Sequence, residues 1–276
     1  MAPNFRNRTR IAHDTIDRSP AIVAELADKG ASLDGVFVKE QLPPLAPAPD
    51  AKSHQPTSVE VVNSDAFTLA RKILETDPDA KVALLNLASD ILPAGPWLEV
   101  MTTTQEEALC YSSTLYVTLK EEYYPWPNIG AGSTAGIYSP GVVIFRDDLD
   151  HDCVELPVEE RRVVSVITGA APRHRRLARD GESFAHEAVL ESLREKIRLV
   201  YRMAAHNGQR YLVLGAMGCG AYACPPRLVA TEMRDILLDS EFSGHFTKVA
   251  FAVYSRPSNG PGNFEIFQEV FEGIVA

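Results

Sequence analysis

The sequence predicts an α/β fold in which helices cover both faces of a single sheet. Short runs rich in apolar and β-branched residues recur along the chain, amphipathic helical stretches separate several of them, and the runs are apolar almost throughout. Strand patterns that alternate with helical patterns are typical of βαβ units. Because continuously apolar strands are buried on both faces, this sheet must be covered on both sides.

The first part of the chain differs from the rest. Residues 5–29 have helical spacing of isoleucine, valine and leucine, which predicts a helix with a partly apolar stripe. Residues 42–58 are rich in proline and small polar residues and lack periodicity, so they predict an irregular or disordered connection. We therefore predict an N-terminal helical arm and proline-rich connection over residues 1–58, packed on a main domain over residues 59–276.

Strands and helices alternate through the main domain. Apolar runs predict strands at residues 59–63, 81–89, 141–147, 162–171, 210–218 and 248–255. Helical spacing predicts helices at residues 65–76, 104–121, 183–207, 226–239 and 264–272. Ligands of such sheets bind in crevices beyond the carboxyl ends of the strands. A site is therefore expected in the loops that follow strands, and three of these carry unusual residues: 93–109, 215–226 and 255–264.

Composition excludes several classes of protein. The net charge of -10 argues against sequence-specific or bulk electrostatic binding of nucleic acid, although a local site for a phosphorylated ligand stays open. No apolar run approaches the roughly 20 residues of a membrane span, and the first residues lack the apolar core of a signal peptide, so an intracellular protein without membrane contact is expected. The cysteines form no CxxC pair and have no zinc-ligand spacing with histidine, so no metal is predicted.

The loop at residues 215–222 is rich in glycine. Gly215, Gly218 and Gly220 permit close backbone approach, so successive amides can point at one anion and hold a diphosphate. The alternative is a tight turn between strand and helix, with glycines for steric reasons alone. Tyr222 could cover a ribose; the alternative is that it is a half-buried residue of the wall.

Two adjacent glutamates, Glu106 and Glu107, stand at a predicted helix start. Thr104 with Glu107, and Thr103 with Glu106, fit the capping box, which explains one glutamate as a cap. Because neighbouring helical residues point about 100° apart, the other faces elsewhere, and we expect it to face the crevice. Adjacent glutamates cannot flank a sugar from opposite sides, so one carboxyl would act alone. A general acid must carry a proton, but the helix N-terminus favours the charged carboxylate. Burial of this glutamate would therefore be needed to raise its pKa.

These loops resemble those of the microbial-type poly(ADP-ribose) glycohydrolases, including their fungal relatives. The family signature is a glycine-rich turn, six to eight residues, and then Gln-Glu-Glu; here "PAGP" is followed by "WLEVMTTT" and by Gln105, Glu106 and Glu107. The segments "ALCYSSTLY", "YSPGVVIFRDD", "VVSVITGAA", "LVLGAMGCGAYACPP" and "VAFAV" follow in family order over residues 80–255, and "RIAHDT" resembles the family's opening helix.

The resemblance implies a macrodomain-like mixed sheet and hydrolysis of the ribose–ribose bonds of poly(ADP-ribose), with no cofactor and no metal. It implies poly(ADP-ribose) or ADP-ribosylated proteins as partners, ADP-ribose as product, and a cytoplasmic or nuclear location. Glu107 would be the catalytic acid and base, and Glu106 would hold ribose hydroxyls. The other implied substrate-binding residues are Asn86, Gly95, Gln105, Gly215, Gly218, Cys219, Gly220, Ala221 and Tyr222. Tyr254 and Phe264 flank the last loop and are candidates for stacking on adenine, with core packing as the alternative.

The turn before the glutamates departs from the family pattern. The family carries Gly-Gly-Gly where this chain has Ala94, Gly95 and Pro96, and Ser89 stands where relatives usually carry asparagine. Proline removes an amide donor and alanine disfavours positive φ, so this turn is not expected to cradle a phosphate as three glycines would. Two other functions are considered: a non-enzymatic or weakly active reader of ADP-ribose, and a scaffold whose loops are empty turns.

Overall fold

The computed structural model describes residues 3–48, 56–255 and 262–276, and it confirms an α/β architecture. The strands are β1 (Val36–Val38), β2 (Ser58–Val62), β3 (Val82–Leu87), β4 (Gly136–Ile144), β5 (Arg162–Gly169), β6 (Tyr211–Leu214) and β7 (Lys248–Ala252). The helices are α1 (Phe5–Glu25), α2 (Ala66–Thr76), α3 (Trp97–Val100), α4 (Gln105–Ser112), α5 (Glu187–His206), α6 (Pro226–Leu237) and α7 (Asn263–Phe271).

The described strands form one mixed sheet in the order β1-β4-β5-β3-β6-β7-β2. The five strands from β5 to β2 run parallel, while β4 pairs antiparallel with both β5 and β1 at one side. The parallel strands place their carboxyl ends at one edge of the sheet. Since ligands of such sheets bind beyond these ends, the edge after β3, β5, β6 and β7 is where a site is expected.

Helices cover both faces of the sheet, as the sequence predicts. One core cluster joins side chains of α1, α2 and α4 to one face, including Ala70, Leu84 and Leu109. The other joins α5, α6 and α7 to the opposite face, including Leu85, Ile197 and Phe251. Neighbouring strand residues such as Leu84 and Leu85 thus enter different clusters, which is the two-residue alternation of a strand that is buried on both sides.

Several elements differ from their predictions; for example, β4 begins at Gly136 rather than at residue 141, and α3 was not predicted. The short strand β1 lies within the predicted arm and pairs with β4, so part of the arm belongs to the sheet. The helix predicted at 104–121 ends at Ser112, because the backbone of Ser112 and Thr114 bonds to the end of β4 and the serine and threonine side chains compete for backbone groups. The helix predicted at 183–207 begins only at Glu187, after a hairpin.

The division of the chain at residue 58 stays a prediction. Part of the proline-rich connection, residues 49–55, and most of the third loop, residues 256–261, lie outside the described residues. No helix within the described ranges is long and apolar enough to cross a membrane.

Helix α1 packs across the sheet face that carries α4. The hydroxyl of Thr15 donates to the carbonyl of Tyr111 at 3.1 Å, and the buried Arg146 guanidinium donates to Thr15 at 3.1 Å and to Asp14. Arg8 donates from Nε to the carbonyl of Met101 at 2.9 Å. The arm therefore contacts the segments on both sides of the α4 start.

We expect Gly141→Ala to destabilise the protein by about 2 kcal/mol or more. Where the segment after α1 crosses β4, a Cβ at residue 141 would overlap the Gly30 carbonyl and the Ser32 amide, and both are backbone atoms that cannot move aside. Urea unfolding checks this, with an unchanged m-value. The matched control is Gly220→Ala, since its Cβ would meet open space. Equal midpoints for the two variants would contradict this account of the packing.

Candidate active site

A cavity of about 690 Å³ lies at the carboxyl edge of the parallel strands, where the loops after β3 and β6 meet the start of α4. The sequence-predicted residues on its wall are Gly95, Gln105, Glu106, Glu107, Gly218, Gly220, Ala221, Tyr222 and Tyr254. Its volume falls in the range of small-molecule and cofactor sites. Two of the three loops that the sequence singled out, 93–109 and 215–226, thus converge on one cavity.

Gln105 fixes the start of α4 against β3. Its Nε2 donates to the carbonyl of Leu85 and its Oε1 accepts from the amide of Leu87, both at 2.8 Å. Strand β6 pairs with β3 only as far as Leu84, so the side-chain amide takes the place of a neighbouring strand beyond that point. This arrangement sets the distance between the glutamates and the sheet edge.

Glu106 is buried, and both of its carboxyl oxygens accept hydrogen bonds. Oε1 accepts from the side-chain amide of Asn86 at 3.1 Å, and Oε2 accepts from the backbone amide of Ser89 at 2.8 Å. Burial raises the pKa of Glu106 to about 8; the Ser89 and Asn86 donors lower it, and the neighbouring charge of Glu107 adds a smaller increase. A carboxyl group with this pKa is largely protonated at neutral pH, so it can donate a hydrogen bond as well as accept one.

Glu107 is also buried on the cavity wall, and two threonine hydroxyls hold its carboxyl group. Thr102 Oγ1 donates to Oε1 at 2.7 Å, and Thr104 Oγ1 donates to Oε2. Thr104 is the N-cap residue of α4, but its side chain makes no cap bond to the helix backbone. The capping box expected from the sequence is therefore wrong, because the cap hydroxyl bonds to the glutamate side chain instead. Both glutamates face the cavity rather than one.

The turn before α3 adopts the backbone that its sequence disfavours. Ala94 has φ of 55° and Gly95 has φ of 54°, and Ala94 is fully buried in the core. The Gly95 amide donates to Leu92 O at 3.0 Å and the Trp97 amide to Ala94 O at 3.2 Å. Pro96 has no N–H, and the Ala94 amide, which makes no hydrogen bond among the described residues, belongs to a buried residue that is not on the cavity wall. The geometry agrees with the expectation that this turn cannot cradle a phosphate.

The loop after β6 leaves amides available. Within the described chain, the backbone N–H groups of Gly218, Gly220, Ala221 and Tyr222 make no hydrogen bond, and all four residues line the cavity. Gly218 has φ of 76°, and a Cβ there would overlap the side chains of Ala171 and Cys224, so only glycine fits. Successive unbonded amides in a loop form an anion site. This loop can hold a diphosphate.

Four predicted residues do not reach the cavity wall. Asn86 lies behind Glu106 and supports it, with its Oδ1 buried and unbonded. Gly215 packs against the Leu87 side chain at the end of β3. Cys219 is partly buried and directs its thiol toward the Met217 carbonyl. Phe264 packs against the core cluster beneath α6 and α7, which fits the core alternative for this ring.

Sequence reasoning missed a polar group beside the glycine-rich loop. Asp90 is buried, accepts a hydrogen bond from the hydroxyl of Tyr222 at 3.0 Å, and lies 3.6 Å from Arg173. Burial, with the charge of Asp90 second, raises the pKa of the Tyr222 phenol. The Arg173 guanidinium lies 5.9 Å from the centre of the Tyr222 ring. Arg173 follows β5, so its position after a strand was the available signal.

The far end of the cavity is formed by Tyr254 and the segment after β4. Tyr254 donates from its hydroxyl to Asp150, and both residues line the cavity. Nearby, Asp147, Asp148 and His151 place their potential metal ligands within 4.8 Å of one another. Thr68 and Arg71 bind these aspartates at 2.8 and 3.1 Å, so protein donors already serve them. We assign no metal or cofactor to this cluster, and the predicted absence of both stays a prediction.

The mixed sheet and the carboxyl-lined cavity at its edge define an α/β protein with a site for a small-molecule ligand. Residues 32–147 match the family model described as the catalytic domain of microbial-type PARG. The chain belongs to the microbial-type poly(ADP-ribose) glycohydrolase family, as the sequence predicted. A comparison with curated proteins found no match.

Solved structures support this assignment. The chain is similar to the poly(ADP-ribose) glycohydrolase of Thermomonospora curvata, with a TM-score of 0.78 and 29% identity over 96% of this chain and 100% of that one. The complex of that enzyme with the inhibitor ADP-HPD matches with a TM-score of 0.74 and 28% identity over 96% of this chain and 99% of that one. The Deinococcus radiodurans enzyme in complex with ADP-ribose matches with a TM-score of 0.66 and 30% identity, over 94% and 92% of the two chains. The predicted fold and glycohydrolase function are confirmed.

The buried Glu106 carboxyl makes stability depend on pH. Its pKa is raised to about 8 in the folded chain, so between pH 5 and 8 the unfolded state releases a proton that the folded state keeps. The wild type should therefore lose up to roughly 1.4 kcal/mol of unfolding free energy per pH unit in this window through Glu106. Glu106→Gln cannot ionise, so its stability relative to wild type should rise from pH 5 to pH 8 in urea unfolding.

A glutamine fits at residue 106 because the side-chain amide of Asn86 can flip. The Asn86 Oδ1, which has no hydrogen-bond partner in the wild type, then accepts from the glutamine Nε2. The control is Glu99→Gln, which removes an exposed carboxyl on α3 and is measured in the same way. A difference between Glu106→Gln and wild type that stays constant with pH would show that burial does not raise the pKa of Glu106.

Proposed function

We propose that this chain hydrolyses the ribose–ribose O-glycosidic bonds of poly(ADP-ribose) and releases ADP-ribose, with Glu107 as the general acid and base. The observation that carries the proposal is the Glu107 carboxyl: it is buried on the cavity wall and oriented by two hydroxyls. A general acid must lie within hydrogen-bond reach of the leaving oxygen, and a fixed orientation supplies that reach. The substrate is the polymer, free or attached to proteins.

The two carboxyl groups have different roles in this mechanism. Glu107 protonates the ribose oxygen of the leaving chain as the glycosidic bond breaks through an oxocarbenium-like state, and then removes a proton from the attacking water. The hydroxyls of Thr102 and Thr104 can donate to the ionised carboxylate or accept from the protonated acid by rotating. Glu106, protonated at neutral pH, holds ribose hydroxyls beside the reacting carbon.

The loop after β6 holds the diphosphate of the unit that is released. The unbonded amides of Gly218, Gly220 and Ala221 support this role, and Tyr222 lies where it can cover the adjoining ribose. Tyr254 at the far end remains the candidate for contact with adenine. A cytoplasmic or nuclear compartment remains a prediction from the sequence.

Glu107→Gln tests the central assignment. We expect it to lower the release of ADP-ribose from purified poly(ADP-ribose) by roughly 10² to 10⁴-fold, because the amide can neither donate an acidic proton nor accept one. ADP-ribose affinity, measured by calorimetry, should change little because the glutamine keeps the shape and the threonine contacts.

Glu106→Gln is the matched comparison, since the raised pKa of Glu106 makes it the rival candidate for the acid. Its activity should fall less than that of Glu107→Gln, with a larger share of the effect in KM. The reverse order would move the acid role to Glu106. Tight binding of ADP-ribose without turnover by the wild type would instead identify a reader.

The threonine hydroxyls should act by positioning. Thr102→Val removes one hydrogen bond to the Glu107 carboxyl, and we expect kcat to fall roughly tenfold with KM within about twofold. Thr103→Val is the control, because Thr103 is exposed and makes no side-chain hydrogen bond among the described residues. Equal kcat for the two variants would exclude a positioning role for Thr102.

A further inference from the structure

The segment between β5 and α5 is an arginine-rich hairpin at the rim of the cavity. Residues 172–186, here called the arginine hairpin, are closed by a bridge between Leu177 and Phe184 and by a hydrogen bond from the Ala178 amide to the Ser183 carbonyl at 2.9 Å. Four of the seven residues from 173 to 179 are arginine, and none of the seven is acidic. This concentration of positive charge stands out in a chain whose net charge is -10.

Three of the four hairpin arginines have no carboxylate partner among the described residues, and only Arg173 pairs with one, Asp90. Elsewhere arginines form close ion pairs, as Arg202 does with Glu241 at 2.6 Å and Arg161 with Glu25 at 2.7 Å. In the described parts of the chain, no carboxylate lies within 4.0 Å of Arg175, Arg176 or Arg179. Asp90 lies 3.6 Å from Arg173, and the acidic residues Asp180 and Glu182 follow the arginines in the turn of the hairpin. Unpaired guanidinium groups remain available to an anionic ligand.

The base of the hairpin is held in place. The buried side chain of Asn128 accepts from the Arg173 amide and from Arg175 Nη2, both at 2.8 Å, and donates to the Ala171 carbonyl at 2.9 Å. Beneath it the buried Lys196 amine donates to the Ser133 carbonyl at 2.6 Å. A fixed base reduces the entropy that is lost when the arginines bind a ligand.

The hairpin lies next to the catalytic end of the cavity. Arg173 lines the cavity and contacts Asp90, which directly follows Ser89, and the Ser89 amide donates to Glu106. The released unit occupies the cavity on the diphosphate side of the glutamates. The remainder of the polymer is the leaving group, so it must pass on the other side of the scissile bond, beside the glutamates.

We propose that the arginine hairpin binds the pyrophosphate groups of the polymer that leaves the active site. This inference rests on the proposed function. Each further ADP-ribose unit carries a pyrophosphate with two negative charges, and arginine forks bind phosphate oxygens in pairs. The hairpin thereby holds the leaving chain close to the cavity, so affinity rises with polymer length and falls with salt.

Two substrates separate this inference from the proposed function. One is long-chain poly(ADP-ribose); the other is an ADP-ribose O-glycoside with a phenolic leaving group, which carries no phosphate beyond the scissile bond. The test variant is Arg176→Gln combined with Arg179→Gln, since both side chains are exposed and lie outside the cavity wall. The matched control is Arg6→Gln combined with Arg10→Gln, two exposed arginines on α1 without a carboxylate partner in the described chain.

We expect the hairpin variant to raise KM for the long polymer roughly five- to tenfold at low salt, with kcat unchanged. The slope of log KM against log salt should also fall by roughly 1.4, which is the counterion release expected for two phosphate contacts on a single strand. Turnover of the phenolic glycoside should stay within about twofold of wild type, which also shows that the variant is folded. The α1 control should match wild type on both substrates.

Equal KM values for the hairpin variant and the α1 control on long polymer would overturn the inference while leaving the proposed function intact. No turnover of either substrate by wild type would instead refute the proposed function. A single-stranded oligonucleotide that binds the hairpin more tightly than poly(ADP-ribose) of equal charge would also overturn the inference, because the hairpin would then be a nucleic-acid site.

Discussion

The carboxyl groups of Glu106 and Glu107 are buried at the first turn of α4, and the surrounding structure supplies the hydrogen-bond donors that this burial requires. An isolated buried carboxylate is unfavourable by several kcal/mol, so each group needs donors. Glu106 receives two N–H groups and Glu107 receives two hydroxyls. The helix N-terminus adds a favourable field for negative charge. Their different donors separate the two groups chemically, although they are neighbours in the sequence.

The donors themselves depend on parts of the chain that are distant from the cavity. Thr102 follows Met101, which has φ of 50° and whose carbonyl accepts from Arg8 of α1. Helix α1 also bonds to the end of α4 through Thr15 and Tyr111. On the opposite side Gln105 ties α4 to β3. The N-terminal arm therefore contributes to the geometry of Glu107 without reaching the cavity, which is how a site on short elements acquires a fixed shape.

The sequence determined the architecture better than the roles of individual side chains. Apolar runs identified the long central strands, because burial on both faces leaves a continuous hydrophobic signal. The same reasoning missed β1, a three-residue strand whose existence depends on pairing with β4. At the site, the motif predicted a role for Glu107, which lies on the cavity wall, but the threonines were interpreted as caps. The same local spacing allows a threonine to cap the helix backbone or to donate to a glutamate side chain, and only the tertiary position of α4 decides between the two.

The turn at Ala94 to Pro96 is poorly suited to bind an anion. A left-handed alanine is unfavourable by about 1–2 kcal/mol, and it is kept here with the side chain buried in the core. The Gly95 amide is bonded to the carbonyl of Leu92, Pro96 has no amide hydrogen, and Ala94 does not line the cavity. Under the proposed function, anion binding relies on the loop after β6, whose cavity-lining residues include several with amides that are unbonded among the described residues. A stiff turn of this kind still fixes the entry to α3 and α4, so it can position the glutamates without contacting phosphate.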